Sequence, residues 1–561
     1  MGSFQNFKKI KQKERQVAIR KALILVGSSC PVDGDEEFLC ESAETIAKKI
    51  AGKEPRWTAT NVIKAYIRCA IRNNEKSNFI TEVFFVEAIE QAILLDEELA
   101  NGKPPRGPLH GVPVSFKDTY NISGYDSSLG MSAFVCKPSS EDSALVKMVK
   151  DMGGVILFKT NVPQTLFAFE CSNPIFGRTF NPFSTSYTCG GSSGGEAVSL
   201  ASNSSALGFG SDIGGSLRIP AHYCGVYSLK PSSDRFPIAG HFAIVEGFEG
   251  VRIVTGPMTR SVLDLKFITK VRVILSSKPE LYDFSCIPLP WKESLESTKN
   301  FKVFGYYFED EFTLTSPACR RAVRMVVDSL KAFGHKVVEI RPPNSFDAVE
   351  IFIGLTSSDG YKKVYDFVKS DPMEKSIWLP MLASWIPYFL KCAIGYVIEN
   401  VIHDPKFSMI FKAVGKRKII EYCRLINRRN LYRKEWSKIW NEYKLDGIIA
   451  PANPLPALPH DGTTSVSAIA ASTFIYNLLN YSVGSLPVTR VDRTIDILSD
   501  EYKKWDGLIH QRLYQSSRPL YDPDKMHGLP VGVQVIGQQW QEEKVIEMMG
   551  DVENALKILN L

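Results

Sequence analysis

The sequence predicts an α/β fold: a single large domain with a central mixed, largely parallel β-sheet covered by helices on both faces. Three observations carry that expectation. A strand–helix–strand order reads across residues 111–159, the same order recurs across 302–340, and apolar strand segments return at 447–450 and 531–537. Strands that run apolar without alternation are those buried on both faces, and alternation with helices is what parallel pairing requires.

Helices open the chain. Over 60–72, Val62, Ile63, Tyr66, Ile67 and Ala70 fall at helical spacing, and 86–99 continues with a second pattern built on Ile89, Ile93 and Leu94. GVPVSFK at 111–117 reads as a short strand, 143–152 as a helix closed by Gly153 and Gly154, and 155–159 as the next strand. The later unit places a strand at 302–307, a helix at 317–333 with Pro317 near its start and Gly334 just past its end, and a strand at 336–340. Neither an internal repeat nor a linker interrupts the pattern. The expected division is a basic helical extension over 1–40 and one domain over 41–561.

Composition narrows the function. The chain has 561 residues, 44% of them hydrophobic, enough for a large core. Its 23% charged residues and net charge of +6 are far from the balance of a dedicated nucleic-acid binder, so no nucleic-acid partner is implied. The eleven cysteines, from Cys30 to Cys423, include neither a CxxC pair nor His/Cys spacing for zinc, and fit a reducing cytoplasm. The basic stretch from Lys8 to Lys21 precedes an apolar run at 22–27 that is too short for a signal-peptide core. It reads as a solvated amphipathic helix, with contact to an anionic membrane surface as the alternative.

The chemistry concentrates in two glycine-serine segments, GGSSGG at 190–195 and SDIGGSLR at 211–218. Glycine admits positive φ and close approach of a substrate, so Gly214 and Gly215 are able to aim successive N–H groups at one point beside the Ser216 hydroxyl, the physical form of an oxyanion hole. Phosphate binding is disfavoured, because neither segment carries the GxxxxGK[ST] pattern and Gly208-Phe209-Gly210 lacks the third glycine of a dinucleotide fingerprint. A serine needs a base. None of the eight histidines is placed for that role, and each reads as structural or solvated. Lysine serves if burial lowers its pKa, and Lys117 ends the apolar run Val112, Val114, Phe116; local sequence leaves open a strand-end lysine that extends to solvent.

Taken together, Lys117, Ser192 and Ser216 resemble the Ser-Ser-Lys triad of the amidase signature family. The resemblance extends through GVPVSFKD at 111–118, TNVPQ at 160–164, CSNP at 171–174, GGSSGGE at 190–196 and DIGGSLRIP at 212–220. Within that family the chain is similar to the fatty acid amide hydrolases through GPM at 256–258, GYY at 305–307, SPACRR at 316–321 and GLPVGVQ at 528–534. The resemblance implies that neutral Lys117 takes a proton from Ser192, which takes one from Ser216 as it attacks the carbonyl. It implies that Ile213, Gly214, Gly215 and Ser216 supply oxyanion N–H groups, that Ser192 and Leu166 contact the substrate, and that Phe167 and Phe169 lie along an acyl channel. Asp212 and Arg218 flank the nucleophile loop and are expected to pair across its turn. No metal, flavin or nucleotide cofactor is required.

The substrate reading rests on residues 377–402, where Trp378, Leu379, Met381, Leu382, Trp385, Phe389, Leu390 and Tyr396 follow one another with few polar interruptions. Lys391 and the prolines at 380 and 387 argue against a simple spanning helix and for an in-plane membrane cap, with a buried helical hairpin as the alternative. The family resemblance implies a lipid amide hydrolase, acting on N-acylethanolamines, primary fatty amides and monoacylglycerol esters, cytoplasmic and peripheral on intracellular membranes. A homodimer is compatible with it. The competing readings are a small-amide amidase like the acetamidases and an amidotransferase-type subunit.

Overall fold

The computed structural model describes residues 2–244, 247–270, 274–292, 301–504 and 507–558. Its strands are β1 (Ile80–Val83), β2 (Pro113–Lys117), β3 (Val155–Thr160), β4 (Ser172–Asn173), β5 (Gly177–Arg178), β6 (Leu207–Asp212), β7 (Tyr227–Lys230), β8 (Val254–Thr259), β9 (Val303–Tyr306), β10 (Lys336–Glu339), β11 (Gly447–Pro451), β12 (Val483–Arg490) and β13 (Pro530–Ile536). Among the described residues eleven of them form one sheet in the order β1-β3-β2-β6-β8-β7-β12-β13-β11-β9-β10, while β4 and β5 pair apart.

The mixed α/β sheet expected from the sequence is what forms, and its parallel ladders lie in two blocks. β3, β2 and β6 run parallel on one side, and β11, β9 and β10 on the other. Antiparallel strands join the blocks, with β8, β7, β12 and β13 between β6 and β11. Each parallel block grows from a strand–helix–strand unit that the sequence displays, since such a connection returns the chain in the same direction. β2, β3, β6 and β13 are buried along their whole length, as strands covered on both faces are.

Local signals set the helices. Thr58 accepts from the Asn61 N–H to start helix Ala59–Ser77, which buries Val62, Ile63, Tyr66, Ile67 and Ala70 and ends at Asn78 in the left-handed region. Helix Phe85–Ala100 buries Phe85, Ala88, Ile89, Ala92, Leu95 and Leu99, but Ile93 and Leu94 face solvent. Ile89 is buried as the pattern indicates, but the inward face continues through Ala92, Leu95 and Leu99 and not through Ile93 and Leu94. Helix Pro317–Ala332 starts at Pro317 and closes before Gly334 at φ +99°, as the sequence indicates.

Two segments bear on the membrane expectations. The basic N-terminus forms helix Gly2–Val26, and Ala22 and Val26 join the core built on the first half of the sheet. Lys11, expected to be solvated, is buried against Glu82 (2.7 Å), Glu14 (2.7 Å) and Asp126 (3.1 Å). The apolar segment forms helices Lys375–Trp385 and Tyr388–Asn400, bent at 112°. Among the described residues no single helix is long and apolar enough to cross a membrane. Ile377 and Met381 face inward while Trp378, Leu379, Trp385, Tyr388, Phe389, Tyr396 and Val401 face out, Phe389 with 71% of its surface exposed. Lys391 is folded inward and donates to the Val414 carbonyl.

Candidate active site

Three neighbouring sheet elements bring the predicted residues together. β2 delivers Lys117 at its C-terminal end, the turn into helix Gly194–Ala201 carries Ser192, and the loop leaving β6 carries Ser216. β2 and β6 pair in parallel, so their C-terminal ends open on the same edge of the sheet, where ligand sites of open α/β sheets form.

Lys117 is fully buried, and its Nζ donates to Ser192 Oγ at 2.7 Å and to Ser211 Oγ at 3.0 Å. Burial pulls the amine down to about 7, against Asp212, whose field favours the charged form. A buried amine with that pKa, within hydrogen-bond reach of a serine, is able to hold or release a proton near neutrality. Ser192, Ser211 and Ser216 share a narrow cavity of about 30 Å³ with Thr165, Leu166, Phe167, Ile213 and His241.

The Ser216 loop is fixed by a buried ion pair. Arg218 Nε donates to Asp212 Oδ2 and Nη2 to Oδ1, both at 3.1 Å, with neither side chain exposed. The two oxygens also accept from the backbone N–H of Gly215 (2.8 Å) and Leu217 (3.0 Å) and from Asn477 Nδ2 (2.8 Å). Burial alone would raise the Asp212 carboxyl, yet Arg218 and these donors hold it well below the usual carboxylate range. The expected pairing across the turn is present.

The same bonds correct one expectation. The Gly215 N–H is committed to Asp212, so it is not free to face a substrate oxyanion. The N–H groups of Ile213, Gly214 and Ser216 make no hydrogen bond among the described residues. Gly215 is required for its backbone: φ is +124°, and a Cβ there would stand 2.4 Å from Thr473 Oγ1.

Leu166 and Phe167 line the cavity; Phe169 does not. Its ring turns to Phe474 (6.1 Å between centroids), which stacks on Phe352 at 4.0 Å, so it belongs to the core behind Gly214. Several cavity residues carried no sequence signal. Thr165 has φ near +68°, uncommon for any residue but glycine and an outlier for a β-branched one, and no motif marks it; Leu166, which the family resemblance does mark, shares that φ. Ser211, His241, Ala243, Ile244 and Ile253 are brought in by tertiary folding. Ser211 alone had a signal, its place beside Asp212 in the glycine-serine segment.

Behind Lys117 lies a second buried carboxyl. Glu196 accepts from Thr160 Oγ1 at 2.6 Å and from Ser115 Oγ, tying the Ser192 helix to β3 and β2. Burial raises it to about 7, opposed by those two hydroxyls.

A fold whose sheet edge presents this lysine–serine constellation belongs to the hydrolases of amide bonds. The profile of the Amidase family matches residues 61–546, and the chain belongs to that family, with the amidase signature fold. It is 33% identical over 505 residues to fatty acid amide hydrolase 1 of Caenorhabditis elegans, covering 89% of this chain and 86% of that one. To an acetamidase of Emericella nidulans it is 33% identical over 530 residues, covering 92% and 89%. Among solved structures, a fatty acid amide hydrolase matches with a TM-score of 0.83 and 26% identity, over 99% of this chain and 95% of that one.

Proposed function

We propose that the protein cleaves long-chain acyl amides by a Ser216 nucleophile whose proton passes through Ser192 to Lys117, working from the surface of a membrane. The neutral Lys117 amine accepts the Ser192 proton as Ser192 accepts that of Ser216, whose oxygen attacks the carbonyl. The oxyanion is met by the N–H groups of Ile213, Gly214 and Ser216. Collapse expels the amine, which takes the proton back through Ser192, and water then releases the acyl group from Ser216 by the same relay. Monoacylglycerol esters are open to this chemistry too.

The observation that carries the lipid reading is the continuity of apolar surface. Leu166 and Phe167 of the cavity pack in one cluster with Ile377 and Met381, whose helix exposes Trp378, Leu379 and Trp385 on its other side. An apolar acyl chain would follow that cluster from the helix pair to Ser216, and a rim of exposed Trp and Tyr suits the membrane interface. The similarity to the nematode fatty acid amide hydrolase supports it. A second reading, a small-amide amidase, draws on the narrowness of the cavity and on the equal identity to an acetamidase.

Purified protein assayed on a long-chain fatty acid ethanolamide and on a short-chain amide separates them, with Ser216→Ala and Lys117→Ala as controls. A kcat/KM preference for the long chain, abolished in both variants and reduced by Trp385→Ser/Phe389→Ser, is expected. Cleavage of the short amide alone would hand the site to the second reading.

A further inference from the structure

Most buried polar side chains of this protein have partners, as is general. His222 is an example: its Nε2 is 2.9 Å from the Leu455 carbonyl, and its Nδ1 accepts from the Gly532 N–H at 2.9 Å. His241 breaks the pattern inside the cavity that holds Ser192 and Ser216. Both of its ring nitrogens are shielded from solvent, and neither has a hydrogen-bond partner among the described residues. An imidazole left this way gives up two hydrogen bonds, so its partner is to be sought in whatever fills the cavity.

The backbone fixes where in the cavity it stands. His241 forms an antiparallel bridge with Tyr120, its ring stands edge-on to the Tyr120 ring at 5.1 Å, the Phe242 N–H donates to the Thr119 carbonyl at 2.6 Å and the Asn121 N–H to the Gly240 carbonyl at 3.0 Å. These contacts anchor it to the segment that directly follows Lys117, the group that holds the relayed proton before it goes to the departing amine. Leu166 and Phe167 pack toward the apolar helix pair, in a cluster that Phe242 and Ile244 also join, so the imidazole is the polar group on an otherwise apolar stretch of the lining. Burial, and then the neighbouring Lys117, push the imidazole down to about 3, so it stays neutral at working pH, with one nitrogen donating and the other accepting.

We infer that His241 is a specificity residue that reads the leaving group, selecting amides whose amine portion carries a hydroxyl or amino group a few bonds from the scissile nitrogen. The inference rests on the reading that this cavity cleaves amides at Ser216. A hydroxyl satisfies the ring by donating or accepting. An alkyl group of the same size leaves the imidazole unpaired, and a site built to bond a polar group rejects the analogue that lacks it.

The test compares two amides of one fatty acyl chain, the N-(2-hydroxyethyl)amide and the N-propylamide, which differ by a hydroxyl in place of a methyl. The wild type is expected to favour the hydroxyethyl amide in kcat/KM by about tenfold. In His241→Leu that ratio falls about fivefold or more, and His241→Gln, which restores a donor and an acceptor, recovers part of it. Where circular dichroism shows His241→Leu to be misfolded, His241→Asn against His241→Gln carries the comparison. A wild type without preference, or a ratio unchanged in the variants, overturns the inference while leaving amide hydrolysis intact. A wild type that cleaves neither amide refutes the hydrolase reading itself, and the inference with it.

Discussion

Arg218→Met tests the physical basis of the nucleophile loop. The substitution keeps most of the side-chain volume and deletes the guanidinium, which makes two bonds to Asp212 and further bonds to the Thr473 carbonyl (3.2 Å), Gln534 Oε1 (3.3 Å) and Asn477 Oδ1 (2.6 Å). Both charges have no solvent exposure, so the carboxylate is stranded in a site where water cannot replace its partner. Breaking a buried pair in this way costs about 3–5 kcal/mol. Urea unfolding followed by tryptophan fluorescence reads that loss as a lower midpoint at pH 7. Asp212→Asn/Arg218→Met should recover a large share, because no charge is then left behind, and the double-mutant cycle gives the coupling directly. The pH dependence has a definite sign. In the wild type the Asp212 pKa is depressed below 3.8, so its contribution is fully present above that value and is lost as pH falls through the folded pKa. In Arg218→Met burial is opposed only by Lys230, Asn477 and the two backbone N–H groups, so the Asp212 pKa rises and the deficit against wild type narrows as the pH is lowered from 7 toward 5. A midpoint equal to that of the wild type, or a double variant no more stable than Arg218→Met, refutes the argument.

The wild-type kcat/KM should rise with pH and level off above about 7, where Lys117 is neutral, and Lys117→Ala should lose about 10²–10⁴-fold; an activity independent of pH between 5 and 9 would contradict the relay. Glu196→Gln removes a carboxyl whose field favours the charged amine, so the acidic limb should move to lower pH, and an unmoved limb sinks that role. Gly215→Ala brings a Cβ to 2.4 Å from Thr473 Oγ1 and 2.9 Å from Ile219 Cδ1 at φ +124°; the loop must shift, and kcat is expected to fall by about 100-fold or more with the melting temperature lowered less than in Arg218→Met.

What could be read from the sequence divides along physical lines. Strands β2, β3, β11 and β13 were visible because burial along their length favours apolar residues, the partly exposed β9 and β10 because short apolar runs flank a helix, and that helix because Pro317 and Gly334 mark its ends. The antiparallel centre was not, since pairing of β7, β8 and β12 is decided between segments far apart in the chain. The same holds in the site. Lys117, Ser192 and Ser216 stand in motifs whose glycines advertise close approach. Thr165 and His241 do not, because a strained backbone and an unpaired ring are products of tertiary packing. Ile93 and Leu94 mislead for the converse reason: apolar character says nothing about which neighbour arrives to cover it.

The electrostatics of Lys117 join scaffold to chemistry. A lysine titrating near 7 needs burial, but it also needs nearby negative charge to be answered elsewhere, since a bare carboxylate would hold the amine protonated and unable to accept from Ser192. Two carboxyls lie close enough to be felt, and the fold treats them in opposite ways. Asp212 stays ionised, its charge taken up by Arg218, two backbone N–H groups and Asn477. Glu196 is instead raised to about 7 by burial, with hydroxyls from β2 and β3 as its partners. Arg218 touches no reacting atom, yet by satisfying Asp212 it both shapes the turn that presents Ser216 and leaves Lys117 free to lose its proton.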